Sequence, residues 1–313
     1  METTRLAPSP TGALHLGNAR TFLANWAMAR RRGWKIVMRI EDLDGPRVRP
    51  EAAAGLLETL AWLGLDWDEG PYVQSHDLGP YRAAMERLAA GGLAFPCELT
   101  RSQVARAASA PQEGAHEVRY PPELRPRSWA RRFAEGRGSW RFLVPAGPLA
   151  FTDGIHGPQS VDTSAVVGDF IVWSKNGVPA YQLAVVVDDH RQGVSKVVRG
   201  DDLLDSAPRQ LLLYRALGLG PEPEYWHLPL VIGPDGKRLA KRHGDSRLDR
   251  YRAAGVRPEA VIGLLARWCG LEPPARGLSA AEFRDAFEPA RLPKGPVVFT
   301  AEDDARLLGG RPA

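Results

Sequence analysis

Residues 5–18 read Arg5-Leu6-Ala7-Pro8-Ser9-Pro10-Thr11-Gly12-Ala13-Leu14-His15-Leu16-Gly17-Asn18, and the rest of the chain is read outward from them. A short apolar piece enters a Pro/Gly turn, and a helical pattern begins at His15 to Asn18. Phe22, Leu23, Trp26 and Ala27 carry that pattern on at helical spacing. The stretch therefore predicts a strand, a tight loop and a helix N-terminus. Backbone N–H groups there lack intrahelical partners and the helix dipole favours an anion, which makes a natural phosphate site. His15 and Asn18 add side-chain donors, and Gly17 has no Cβ to hold a flat ring such as adenine away from the backbone. A capped core helix with an incidental histidine has the same pattern, so this stretch alone leaves both readings open.

Gly33 ends the helical pattern, and Trp34 to Ile40 reads as a buried strand followed at once by Glu41-Asp42. A strand–helix–strand unit in a parallel sheet places Arg5 to Pro10 and Glu41 to Asp44 at one end, flanking the crevice where open α/β sheets bind ligands. Glu41 and Asp42 also read as solvated helix-capping acids. Helices are expected over Pro50 to Leu65, with Leu56, Leu57, Leu60 and Leu63 inward, and over Tyr81 to Ala90. Residues 96–175 are expected as an insertion between two halves of the sheet. Its arginines (Arg101, Arg106, Arg119, Arg125, Arg127, Arg131, Arg132) either contact phosphates or form a solvated face. The sheet is expected to resume with a strand over Ala180 to Val187, ending at Asp188-Asp189, and a second over Val194 to Val198, ending at Arg199. Ser206 and Pro208 open a helix through Leu217, Leu228 to Ile232 reads as a strand, and Gly233-Pro234-Asp235-Gly236 as a turn. A basic run, Lys237 to Gly244, follows. Such runs are often solvated faces, but at the ligand end of a sheet this one reads as a mobile clamp for polyphosphate. The remainder is helical in pattern around Val261 to Cys269.

With 313 residues, 44% hydrophobic and 25% charged, the chain has the composition of a soluble globular protein of two or three structural units. A net charge of +4 permits an anionic partner such as RNA without requiring one. Two cysteines exclude a disulfide framework and suit a reducing cytoplasm. METTRLAPSP contains no apolar core of a signal segment, and no run is long enough to span a bilayer, so no membrane association and a cytoplasmic location are expected.

Five blocks occur in order: APSPTGALHLGN, RIEDLD, AYQLAVVVDD, VVRGDDLL and RLAKR. Together they closely resemble the catalytic core of the class I glutamyl-tRNA synthetase family over residues 1 to about 245. His15 to Asn18 stands where that family carries HIGH, and Arg238 to Arg242 where it carries KMSKS. The resemblance implies an α/β fold: a Rossmann-type parallel-sheet class I aminoacyl-tRNA synthetase core with an inserted subdomain and a short helical C-terminal unit. The expected divisions are 1–95, 96–175, 176–244 and 245–313. The chain ends at Ala313, where full-length members continue into an anticodon-binding region, and Val185 stands where they usually place Asn. Both features are similar to the stand-alone branch that transfers glutamate to queuosine at the wobble position of tRNA(Asp). Alternatives are a truncated enzyme charging the 3′ end of tRNA(Glu), a non-catalytic tRNA-binding paralogue, and a nucleotidylyltransferase sharing the HxGH loop.

The resemblance implies L-glutamate, tRNA and ATP with Mg2+ as partners, and a monomer. It implies catalytic roles for His15 and Lys241, and ATP contacts from Pro8, His15, Gly17, Asn18, Arg238, Leu239 and Lys241. Glutamate would meet Arg5 and Arg199 through its carboxylates and Glu41 through its ammonium, with Tyr181, Ser9 and Ala7 completing the pocket. The structural alternative for Arg199 is an ion pair with Asp201 or Asp202. Family members often hold zinc in the insertion by Cys-x-Cys and Tyr-x-x-x-Cys. Here those positions read Cys97, Leu99, Tyr120 and Leu124, so zinc is not expected. Ala240 replaces the Ser of KMSKS and leaves Lys241.

Overall fold

A computed structural model describes residues 1–43, 50–107, 119–136, 138–237, 239 and 245–309. Strand β1 (Thr3–Leu6), helix α1 (Leu16–Arg32) and strand β2 (Lys35–Ile40) follow the sequence reading closely. β1 and β2 pair in parallel, Arg5 opposite Val37. Helix α1 starts at His15, whose Nδ1 accepts the Asn18 N–H at 3.3 Å, and ends at Gly33, which takes the left-handed φ of 65° that closes a helix. Its last turn carries Arg30, Arg31 and Arg32, favourable beside the negative end of the helix dipole. Asn25, buried within α1, donates to the Arg5 carbonyl at 2.9 Å and accepts from the Thr4 hydroxyl, tying the helix to β1.

Helix α2 (Pro50–Trp62), strand β3 (Glu69–Val73) and helix α3 (Gly79–Ala90) come next. Leu56, Leu60 and Leu63 lie in the core, and Leu57 packs against it. Strand β4 (Ala94–Cys97), helix α4 (Arg101–Ala107), strands β5 (Ser139–Phe142), β6 (Leu149–Asp153) and β7 (Gly157–Val161), helix α5 (Thr163–Val166) and strand β8 (Ile171–Trp173) occupy the stretch expected as an insertion. Only part of that stretch stands apart. β4, β5 and β8 make a small antiparallel sheet, while β6 and β7 join the large one.

The following stretch departs from the sequence reading. Ala180 to Val187, expected as a strand, is the opening of helix α6 (Tyr181–Arg191). Gln182 to Asp189 are all buried and Leu183 to Val187 is an unbroken apolar run, so the helix shows none of the one-sided periodicity that marks a surface helix. A continuous run of this kind fits a buried strand or a buried helix equally well. Packing among α3, β8 and α7 (Ser206–Ala216) selects the helix. Strand β9 (Lys196–Gly200) carries Arg199, and β10 (Glu224–Leu228) is a strand of which the sequence reading assigned only Leu228. The strand expected over Leu228 to Ile232 is divided: β10 ends at Leu228, and β11 (Val231–Ile232) follows Pro229, which has no N–H for a ladder.

The large sheet has the order β3-β2-β1-β9-β10-β6-β7, parallel throughout except for the antiparallel edge β7. The chain then forms α8 (Leu248–Ala253), α9 (Pro258–Trp268), α10 (Ala280–Ala286), β12 (Val297–Val298) and α11 (Ala301–Leu307). Leu23, Leu264, Phe283 and Phe287 share one apolar core, so these helices complete the cover of α1. Arg20, 1% exposed, donates to the carbonyls of Pro229 at 2.5 Å and Trp268 at 2.9 Å, binding α1 to both neighbours. No helix among the described residues is long and apolar enough to cross a membrane.

Candidate active site

A cavity of about 1000 Å³ opens at the C-terminal ends of β1, β2 and β9, where an α/β sheet presents its loops. Arg5, Ala7, Pro8, Ser9, His15, Gly17, Asn18, Glu41, Tyr181 and Arg199 all line it. The structure thus brings together residues that are distant in sequence, as the resemblance implies. Leu239 is buried and packs in the core with Val231. Arg238 and Lys241 lie outside the described residues.

The residues flanking the basic loop are firmly placed. Gly233 donates to the Lys237 carbonyl at 2.8 Å, closing the expected turn. Beyond the loop, Leu16 donates to the Ser246 carbonyl at 3.0 Å and Leu248 to the Leu14 carbonyl at 2.8 Å. The C-terminal end of the loop is therefore anchored beside the N-terminus of α1, and Val231, which precedes the turn, lies against Gly17 of the same helix. Capping by Nδ1 makes that nitrogen an acceptor, so the neutral His15 ring carries its proton on Nε2. Gly17 has a local reason of its own as well: a Cβ there would stand 3.1 Å from His15 Cε1 and 3.4 Å from Val231 Cβ. Its missing side chain makes room for the capping imidazole.

Two buried guanidinium groups face the cavity. Arg5, 4% exposed, donates through Nη1 to the Val198 carbonyl at 3.2 Å. Its Nε is 3.5 Å from Asp189 Oδ1 and makes no hydrogen bond. Arg199, 5% exposed, donates to His227, Gln210 and the Leu203 carbonyl, all neutral acceptors. Glu41 Oε1 accepts from Arg39 Nη2 at 3.1 Å. Burial pushes the Glu41 carboxyl above its ordinary range, although Arg39 and Arg5 pull the other way. Tyr181, at the first turn of α6, stays 39% exposed and forms a wall.

Behind these groups lies a charged layer that the sequence reading missed as a unit. Asp189 Oδ1 accepts from Arg39 Nη1 at 2.7 Å. Asp188 Oδ2 accepts from Gln74 Nε2 at 2.8 Å and Tyr81 Oη at 2.7 Å. Burial raises the Asp188 carboxyl, whereas Arg39 stays charged because Asp189, Glu41 and Asp188 together outweigh its own burial. The adjacent acids in Asp188-Asp189 were the available signal, but assigning them to a strand end hid that both are buried in a helix.

In the small sheet, Cys97 Sγ lies 3.8 Å from Tyr120 Oη, which donates to the Leu124 carbonyl at 2.9 Å. Leu99 and Leu124 pack against this pair, and hydrocarbon side chains cannot ligate a metal. The donor set at these positions does not fit a zinc site, and among the described residues no group of three or more His, Cys, Asp or Glu could hold a metal.

Residues 2–303 match the family described as tRNA synthetases class I (E and Q), catalytic domain. The glutamyl-Q tRNA(Asp) synthetase of Symbiobacterium thermophilum is 49% identical, covering 98% of both chains. That of Geobacter sulfurreducens is 45% identical over 95% of both. The glutamate–tRNA ligase 2 of Syntrophus aciditrophicus is 40% identical over 97% of this chain but only 64% of its own length. Among solved structures, a glutamate tRNA ligase from Elizabethkingia meningosepticum in complex with its amino acid superposes with a TM-score of 0.79 at 29% identity, over 96% of this chain and 68% of that one. A parallel sheet with HLGN at the first helix, a basic loop rooted beside it and relatives aligned end to end agree: the chain belongs to the class I tRNA synthetases of the E and Q type, in the glutamyl-Q tRNA(Asp) synthetase family.

Proposed function

We propose that the protein activates L-glutamate with ATP to glutamyl-adenylate and transfers the glutamyl group to the queuosine base at the wobble position of tRNA(Asp). The observation that carries the glutamate pocket is the pair of buried guanidinium groups, Arg5 and Arg199, opening with Glu41 on one cavity. A substrate with two carboxylates and one ammonium matches two cations and one acid. Arg5 and Arg199 take the carboxylates, Glu41 takes the ammonium, and Tyr181, Ala7 and Ser9 close the pocket. ATP lies over Pro8, Gly17, Asn18 and Leu239, with His15 and the α1 N-terminus near its phosphates.

The glutamate carboxylate is already an anion at neutral pH, so attack on the α-phosphorus needs no general base. What the protein supplies is alignment of the two reactants and stabilisation of charge on the phosphates. Arg238 and Lys241 bring cationic donors to those phosphates from the basic loop. Class I synthetases use ATP with Mg2+, which neutralises phosphate charge when bound. The reading takes the enzyme as a cytoplasmic monomer with no structural zinc.

Labelled glutamate, ATP and purified protein are incubated with queuosine-containing tRNA(Asp), queuosine-free tRNA(Asp) and tRNA(Glu), each with a free or blocked 3′ end. Label on queuosine-containing tRNA(Asp) alone, retained when its 3′ end is blocked and lost after periodate cleavage of the queuosine diol, is the expected result. Label on tRNA(Glu) that disappears when the 3′ end is blocked replaces this reading with a compact aminoacylating enzyme. No label on any of the tRNAs, together with no glutamate-dependent pyrophosphate exchange, overturns both.

A further inference from the structure

Arg199 is held on three sides: by two side chains that do not line the cavity, His227 and Gln210, and by the carbonyl of Leu203, which does. Its Nε donates to His227 Nε2 at 2.9 Å, Nη1 to Gln210 Oε1 at 2.9 Å, and Nη2 to the Leu203 carbonyl at 3.2 Å. Gln210 Nε2 donates to Gln182 Oε1 at 3.0 Å, and Gln182 Nε2 to Ser206 Oγ at 3.0 Å, so the glutamine is itself fixed. On the other side, His227 Nδ1 lies 2.6 Å from Asp153 Oδ2. Asp153 Oδ1 accepts the backbone N–H groups of Ile155 and His156, both at 2.9 Å, which locks the carboxylate into the turn between β6 and β7. His227 is fully buried, and neither it nor Asp153 lines the cavity.

A guanidinium offers donors only, so His227 Nε2 must accept and the imidazole proton must sit on Nδ1, pointing at Asp153. An imidazolium would set one N–H against another. Burial, with Arg199 beside it, depresses the His227 pKa to about 4 and keeps the ring neutral. With Nε and one N–H of each Nη engaged, two of the five guanidinium N–H groups, one on each Nη, have no partner among the described residues. Those two are left for a substrate carboxylate, and the plane in which they lie is set by whatever holds Nε.

We infer that His227, backed by Asp153, is a positioning residue for glutamate recognition: it fixes the plane in which Arg199 presents its two remaining Nη N–H groups to a substrate carboxylate. This rests on the proposed role of Arg199 in the glutamate pocket. The aligned strands β9, β10 and β6 deliver the three residues in a row, Arg199 opposite His227 in the ladder. A fixed guanidinium plane also sets where the carboxylate must stand, and so discriminates glutamate from aspartate, which is one methylene shorter.

The test is pyrophosphate-exchange kinetics on the full chain with His227→Leu, His227→Gln and Arg199→Ala, alongside thermal melting. Loss of one hydrogen bond to a charged group predicts that His227→Leu raises the glutamate KM about tenfold or more, with the ATP KM unchanged and glutamate–aspartate discrimination reduced. His227→Gln, whose Oε1 can accept from Arg199 Nε, recovers most of the loss. A folded His227→Leu with an unchanged glutamate KM overturns the inference, as does a parallel rise in both KM values. An unchanged glutamate KM in Arg199→Ala overturns the role of Arg199 and the inference with it. A raised KM there beside an unchanged one in His227→Leu overturns the inference alone. Where His227→Leu does not fold, ¹⁵N NMR of the wild-type ring at neutral pH decides: an unprotonated Nε2 is expected, and a protonated Nε2 refutes the inference.

Discussion

Asp189→Asn isolates the charge of one buried carboxylate from its shape. Asp189 Oδ1 lies 2.7 Å from Arg39 Nη1 and 3.5 Å from Arg5 Nε, and all three side chains are at most 5% exposed. The amide keeps an acceptor for Arg39 and the side-chain volume, but leaves two buried cations with less counter-charge. Breaking a buried pair by removing one partner costs roughly 3–5 kcal/mol. Glu41 still contacts Arg39 at 3.1 Å, which places the expected loss at the lower end, about 3 kcal/mol. For 313 residues the unfolding entropy near the midpoint is about 0.66 kcal/mol/K, so Tm should fall by about 5 °C. The assay is thermal and urea unfolding of the wild type, Asp189→Asn, Arg39→Met and the double variant. Removing both charges should cost less than the two single losses added together. A Tm change of less than about 1 °C, or additivity within about 0.5 kcal/mol, refutes the claim that these charges hold one another in the core.

Four further outcomes are expected. Because burial raises the Glu41 pKa, its ionised form is present above that value and lost as pH falls through it; glutamate KM should therefore rise on the acid side at a pH above the ordinary carboxylate range, and Glu41→Gln should abolish that limb. The same shift means that the stability contribution of protonated Glu41, full below the ordinary carboxylate pKa, is lost as pH rises through the raised value, so Glu41→Gln should melt no lower than wild type at pH 7 despite its poorer binding. His15→Asn keeps a good N-cap for α1 and should leave Tm nearly unchanged, while pyrophosphate exchange falls by about 10²-fold through loss of a phosphate contact; full activity would remove His15 from the site. Gly277→Ala should be severely destabilising, as φ is +84° and a Cβ would stand 1.9 Å from the Glu259 carbonyl oxygen; a Tm within 1 °C of wild type would contradict that geometry.

The chain's local signals decide its local structure. Pro8, Pro10 and Gly12 force the turn after β1, His15 caps α1, Gly33 ends it, and Glu41 follows β2 directly. Those features depend on neighbours a few positions away, and they suffice to put Arg5, His15 and Glu41 at one end of a strand–helix–strand unit. Tertiary packing decides what local pattern leaves degenerate. LAVVV is equally apolar on every face, so only its burial among α3, β8 and α7 makes it a helix and turns Asp189 toward Arg5 and Arg39. The membership of β6 in the large sheet is decided in the same way, by a backbone pairing of Tyr225 with Asp153. That pairing brings Asp153, His227 and Arg199 into one hydrogen-bonded row, although they lie far apart in the chain. Hydrogen-bond registers between distant strands leave no periodicity in the residues that form them, which is why the pocket's arginines were legible in the sequence and the groups that aim them were not.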